Sequence, residues 1–143
     1  MPITIQLQYA LRDHNTFGMD VTAQQFITYS TVDELIDLLA CIRQREQRIL
    51  HIGAGSNLLF TKDFEGVVLH SDINFIEYIS RGAHEILVRA GAGVVWDDFC
   101  AQMASNNYYG SENLSHIPGE VGAAAVQNIG AYGVEVESII KEV

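Results

Sequence analysis

The chain has 143 residues and a mass of 15.8 kDa, enough for one domain that buries roughly two-thirds of its unfolded surface and too little for two large ones. Hydrophobic residues at 48% against charged residues at 18% exclude a disordered chain. Lys plus Arg number 8 against 18 Asp plus Glu, and the net charge of -10 sets the chain against nucleic acid, whose phosphates it repels at long range.

Residues 1–6 (M-P-I-T-I-Q) bring no cationic segment followed by an apolar one. No run approaches the ~18 apolar residues that span a bilayer, so a cytoplasmic chain without a membrane partner is expected. Cys41 and Cys100 form no C-x-x-C pair, and His14, His51, His70, His84 and His116 fall at no zinc spacing. Buried free thiols and no metal follow.

In chain order, Gln25 to Tyr29 alternates as a strand does, and Thr31 with Glu34 three residues on forms a capping box. The helix that follows is expected to turn Val32, Leu35, Ile36, Leu39 and Ile42 inward and to end in the cationic stretch 43–47. Arg48 to Ile52 reads as a buried strand, completing a β-α-β unit of a parallel sheet. Val67 to His70, Phe75 to Ile79 and Glu85 to Ala90 are further strands, with the turn at Arg81-Gly82 as the expected subdomain boundary. A helix from about Val94 to Asn106 carries Val95, Phe99 and Met103 on its apolar face, and Val136 to Val143 reads as a last strand.

Three glycine-rich constellations stand out. Gly53-Ala54-Gly55-Ser56-Asn57 follows a strand, and its glycines let backbone N–H groups converge on an anion while Ser56 and Asn57 add donors. It is neither a P-loop nor a dinucleotide fingerprint, because Leu58 stands where the third glycine belongs; a tight turn between strands explains it as well. Gly91-Ala92-Gly93 has Trp96 at that third place and reads as a structural turn, with Asp97 and Asp98 near the positive end of the helix that follows.

The third runs from Ile117 through Pro118, Gly119, Glu120, Val121, Gly122, Ala123, Ala124, Ala125, Val126, Gln127, Asn128, Ile129, Gly130, Ala131 and Tyr132 to Gly133. Small residues at this density admit a flat or extended ligand, and a short helix from near Val121 offers N–H groups to a pyrophosphate. Gln127 and Asn128 suit a heteroaromatic ring edge, and Tyr132 a stacking or capping role. Close helix packing with a glycine-rich turn is the competing account.

Asn15-Thr16-Phe17-Gly18, Gly53 to Leu58, Glu112-Asn113-Leu114 with Ile117-Pro118-Gly119, and Gln127 to Glu135 together resemble the UDP-N-acetylenolpyruvoylglucosamine reductases, in that family's order and spacing, from about residue 11 to the end. The resemblance implies an α+β fold, the FAD-binding fold of the vanillyl-alcohol-oxidase type. It has two small α+β subdomains with FAD extended between them: here 1–80, and 81–143 as the truncated beginning of the second. NADPH reduces the flavin in this family, and the flavin reduces the enolpyruvyl group of a UDP-sugar to give UDP-N-acetylmuramate for peptidoglycan.

By the same resemblance Gly53, Ala54, Gly55, Ser56, Asn57 and Leu58 line the FAD pyrophosphate and isoalloxazine together with Ile117, Pro118, Gly119, Gly122, Ala123, Ala124, Gln127, Asn128, Gly130, Ala131, Tyr132 and Gly133. Tyr132 falls toward the substrate side, and Asn15 to Gly18 shapes the pocket from beneath or is a simple turn. The family's catalytic serine, arginine and glutamate lie downstream of Val143. The chain is therefore expected to be an inactive, engineered truncation without the substrate domain, binding UDP-sugar only with that domain.

Two departures bear on the cofactor. Ala123 and Ala124 replace frequent serines, which removes hydroxyl contacts to phosphate, and Glu120 weakens an anion site unless it points to solvent. The first glycine loop has no histidine for covalent attachment, so FAD is expected to dissociate. The alternatives are a flavin oxidase of the same superfamily, a non-catalytic nucleotide- or phosphate-binding module, and an apo fragment that self-associates through apolar surface bared by truncation.

Overall fold

Gly66, Val67, Val68 and Leu69 are buried in succession, a run that needs cover on both faces of a strand. They belong to β4 (Phe64–Ser71), which lies inside a four-stranded sheet of order β1-β2-β4-β3 with β1 (Thr4–Ala10), β2 (Thr22–Tyr29) and β3 (Ile49–Ile52). β1 pairs antiparallel with β2, while β2 and β3 both run parallel to β4. The computed structural model describes residues 3–80 and 84–143 and divides into Met1–Ile73 and Asn74–Val143. The first unit holds this sheet.

Between β2 and β3 the chain crosses as α1 (Val32–Gln44). Thr31 caps it by accepting the Glu34 N–H at 3.2 Å, and the Glu34 carboxylate accepts the Ser30 N–H at 2.7 Å. Leu38 and Ile42 are buried with Leu35 and Leu39 against Ile27, Tyr29, Val67 and Leu69, whereas Val32 and Ile36 stand 62% and 57% exposed. The apolar stripe is thus rotated toward Leu38. On the opposite face Leu11, Val21, Ala23, Phe26, Ile52, Phe60 and Val68 form a second core.

β3 is not the buried strand expected from its composition. It is a sheet edge, with only Ile52 of its residues buried. The Tyr29 hydroxyl and His51 Nε2 lie 2.6 Å apart, and burial of the ring followed by the nearby His70 push the His51 pKa below its ordinary 6.5. Cys41 is exposed on α1, against expectation, while Cys100 is buried and its thiol is held protonated by desolvation. Among the described residues no helix is long and apolar enough to cross a membrane, and no group of three metal-ligating side chains occurs.

The second unit opens with β5 (Ile76–Ser80) paired antiparallel to β6 (Ile86–Ala90). The units therefore part at Ile73, earlier than residue 80, because β5 pairs with β6; the Arg81-Gly82 turn itself lies outside the described residues. α2 (Trp96–Ser105), α3 (Val121–Val126) and a hairpin of β7 (Gly130–Ala131) and β8 (Val134–Glu135) follow. α2 buries Trp96, Cys100 and Met103, while Val95, expected on that face, is its extended N-cap and 48% exposed. The expected final strand is absent: 136–138 make a 3-10 turn that buries Val136, and 139–143 have no regular structure.

Leu69→Ala should destabilise the first unit by about 2–5 kcal/mol in urea denaturation, and Ile36→Ala by less than about 0.5 kcal/mol. The unfolded chain takes up a proton at His51 near pH 6.5 and the folded chain only at lower pH. Stability from this group is complete above about pH 6.5 and declines as the pH falls toward the folded value. Denaturation midpoints at about pH 7.5 and about pH 5.5 should differ in the parent, and differ less in His51→Gln.

Candidate functional site

In the first unit the loop Gly53–Leu58 leaves the C-terminal end of β3, where parallel α/β sheets place their ligand crevices. Gly55 is buried with φ of +72°, and a Cβ there would lie 1.9 Å from the His14 carbonyl oxygen. The Thr16 hydroxyl donates to the Ser56 carbonyl at 3.1 Å. The segment carrying these contacts is itself fastened by buried Asn15, whose Nδ2 donates to the Leu11 carbonyl at 2.7 Å and whose Oδ1 accepts the Met19 N–H at 2.8 Å. Asn15 to Gly18 is a turn and also the floor of the glycine loop.

Gly55 is buried, and no backbone carbonyl among the described residues accepts its N–H. The loop's own closure uses the Leu58 N–H, donated to the Gly55 carbonyl at 3.4 Å. Ser56 and Asn57 belong to the same turn, and Asn57 is exposed. The donor set is neutral, without Lys or Arg, and suits an anion held by backbone dipoles.

In the second unit residues 92–97 and 115–122 run against each other. Val121 donates to the Val94 carbonyl at 2.9 Å, Gly122 to the Ala92 carbonyl at 3.0 Å, and Trp96 to the Gly119 carbonyl at 3.0 Å, with Val95 and Glu120 bridged antiparallel. The Trp96 indole N–H reaches the Leu114 carbonyl at 2.8 Å. Gly91-Ala92-Gly93 is the structural turn expected, closed by the Val94 N–H on the Gly91 carbonyl at 3.2 Å.

This corrects the expected use of the helix near Val121. Two of the N–H groups that open α3 are taken by Val94 and Ala92, so they offer nothing to a pyrophosphate. Gly122 serves close approach, since a Cβ there would lie 2.8 Å from Ala92 Cβ. Ala124 is buried in the core with Trp96, Cys100 and Leu114, so a hydroxyl at that position would face the interior; only Ala123 of the pair is part-exposed. Glu120 does not point to solvent; it is 8% exposed and forms the N-cap of α3.

α3 ends in a Schellman arrangement: Asn128 takes φ of +45° and Ile129 donates to the Ala124 carbonyl at 3.2 Å. The Asn128 side chain is engaged within the chain, its Nδ2 donating to Glu135 at 2.8 Å and its Oδ1 accepting the Glu137 N–H at 3.1 Å. These bonds fix the hairpin. Tyr132 and Gly133 make the two-residue turn of that hairpin at φ of +53° and +79°. A non-glycine residue there is strained by roughly 1–2 kcal/mol, and the Tyr132 ring is 91% exposed.

Sequence reasoning placed Asp97 near the positive end of α2 and missed its contacts with residues 115–116. Its Oδ1 accepts the His116 N–H at 2.7 Å and the Ser115 hydroxyl at 3.0 Å, and its Oδ2 lies 3.5 Å from His116 Nδ1. These contacts, the His116 N–H foremost, hold its carboxyl below the usual carboxylate range. The available signal was Val95, which precedes the helix without a capping side chain.

Gly55→Ala should destabilise the first unit by more than about 3 kcal/mol, because the new Cβ meets backbone as well as a positive φ. Gly18→Ala, at φ of +61° with open space around it, should cost about 1 kcal/mol in the same urea titration.

Comparison with known proteins accords with this geometry. The chain is 55% identical over 139 residues to the UDP-N-acetylenolpyruvoylglucosamine reductase of Bacteroides fragilis (strain YCH46), covering 97% of this chain and 42% of that protein. The enzyme of the same name from Porphyromonas gingivalis (strain ATCC 33277) is 48% identical, with 97% and 41% covered. A crystal structure of the UDP-N-acetylenolpyruvylglucosamine reductase of Thermus caldophilus superposes with a TM-score of 0.69 at 28% identity, covering 94% of this chain and 45% of that one. The chain thus spans less than half the length of these relatives. The profile described as FAD binding domain matches residues 23–143, and the chain belongs to that family.

Proposed function

We propose that this chain binds FAD without a covalent link and is the flavin-binding part of a UDP-N-acetylenolpyruvoylglucosamine reductase acting in cytoplasmic peptidoglycan synthesis. The observation that carries the reading is the family match through residues 23–143, which takes in both glycine-rich segments. Relatives bearing the reductase name at 55% and 48% identity favour it over a flavin oxidase. When bound, FAD supplies hydride transfer from NADPH to an enolpyruvyl UDP-sugar.

The residues of each unit fit parts of that cofactor. In the first unit Gly53 to Leu58 would hold the pyrophosphate through backbone N–H groups, with Ser56 and Asn57 in the same turn. In the second, Ile117, Pro118 and Gly119 and the exposed part of Ala123 to Gly133 would contact the flavin. Ala123 contributes backbone only, and Gly122, Ala124 and Asn128 act by holding this surface in shape. Tyr132 is strained and exposed at its turn, and would stand toward the substrate side. Turnover requires residues beyond those of this chain.

Visible absorbance before and after FAD addition and desalting tests this. A retained flavin spectrum, released when the protein is denatured, is expected, without reduction of the enolpyruvyl UDP-sugar by the chain alone. A folded protein, by circular dichroism, that stays colourless at saturating FAD would overturn the flavin assignment.

A further inference from the structure

The Ile117–Gly133 segment has no cation to hold a ligand in place, so its value depends on how firmly its backbone is set. Its N-terminal approach is fastened to the start of α2 by main-chain bonds at Gly119, Val121 and Gly122. Ahead of these, residues 115–116 form a turn in which His116 takes φ of +62°. A residue with a Cβ in that conformation persists only when its surroundings hold it. The holding group is Asp97, the second residue of α2, through the Ser115 hydroxyl, the His116 N–H and the His116 ring.

We infer that Asp97 is a positioning residue for the flavin-binding surface, fixing the turn from which Ile117, Pro118 and Gly119 depart. The inference rests on the flavin reading above for its functional consequence, while its structural half stands without ligand. Both main hydrogen bonds end on one oxygen, Oδ1. An asparagine presents a carbonyl oxygen at the same place, so the bonds, and not the negative charge, set the turn. Neighbouring Asp98 is exposed and makes no such contacts, which makes it the natural control.

The test compares the parent with Asp97→Ala, Asp97→Asn, Ser115→Ala and Asp98→Ala in the whole chain. Amide hydrogen exchange of Trp96 and Val121 is read without ligand, and FAD affinity by flavin fluorescence. The Val136 amide, buried in the same unit and bonded to the Ile129 carbonyl at 2.8 Å, reports that each variant is folded. Asp97→Ala should speed exchange at Trp96 and Val121 roughly tenfold and weaken FAD binding about fivefold. Asp97→Asn should restore both to near the parent, Ser115→Ala should fall between, and Asp98→Ala should match the parent.

Exchange unchanged in Asp97→Ala would overturn the inference, as would faster exchange with unaltered FAD affinity. Failure of Asp97→Asn to restore either quantity would overturn the claim that the hydrogen bonds do the positioning. A parent that takes up no FAD would refute the flavin reading by itself, and the ligand-free exchange rates would still decide whether Asp97 holds the segment. If Asp97→Ala does not fold, the Ser115→Ala exchange rates decide the matter alone.

Discussion

The first unit depends on β4 taking the middle of three parallel strands. With both faces buried, β4 demands α1 on one side and the Leu11, Val21, Phe26 and Phe60 cluster on the other. β2 and β3 flank it and run in its direction, so the chain between them must cross over the sheet, as α1 does. The chain leaving β3 must then travel back to the start of β4 without a helix. Gly53 to Asp63 makes that return, and its first turn is pressed against the His14 carbonyl. The glycine loop therefore exists where it does because of how β4 is buried.

The second unit is built on another principle. Its only sheets among the described residues are two-stranded, and ribbons of that kind are weak by themselves. Backbone pressed directly on backbone replaces them, from Ala92 to Trp96 against Gly119 to Gly122. Such proximity is open only to small side chains, and Gly122 against Ala92 is the tightest point. The glycine and alanine content that suggested a ligand surface is thus in part the requirement of this packing. Packing and binding compete for the same amides, and at Val121 and Gly122 packing takes them.

Much of the first unit was legible in the sequence because local signals agree there. Thr31 and Glu34 marked the start of α1, and the alternation around Phe26 marked β2. What failed depended on neighbours distant in sequence. Nothing within residues 48–52 says that β3 lies at a sheet edge, and nothing within Val32–Ile42 says that the core lies toward Leu38 and leaves Ile36 in water. Val136 reads as strand by composition, yet one buried valine and the contacts of Asn128 turn the chain there instead. In the candidate site, the resemblance singled out both segments as candidates. Which N–H groups remain open, and that Asn128 is engaged by Glu135 and Glu137, are matters of geometry that residue type does not encode.

The electrostatics give this division its meaning. A chain of net charge -10 is a poor long-range partner for a dianionic pyrophosphate, and screening confines that repulsion to within about 8 Å at physiological salt. Neither glycine-rich segment carries a Lys or Arg to reverse it locally. Attraction must then come from fixed dipoles at hydrogen-bond range, and dipoles act at full strength only when they need not reorient on binding. Rigid placement of amides takes the role that mobile cations play in other phosphate sites. On the proposed flavin reading, Asn15 under the first loop and Asp97 beside the second segment would serve recognition by fixing the turns next to the glycines, although each directs its bonds inward.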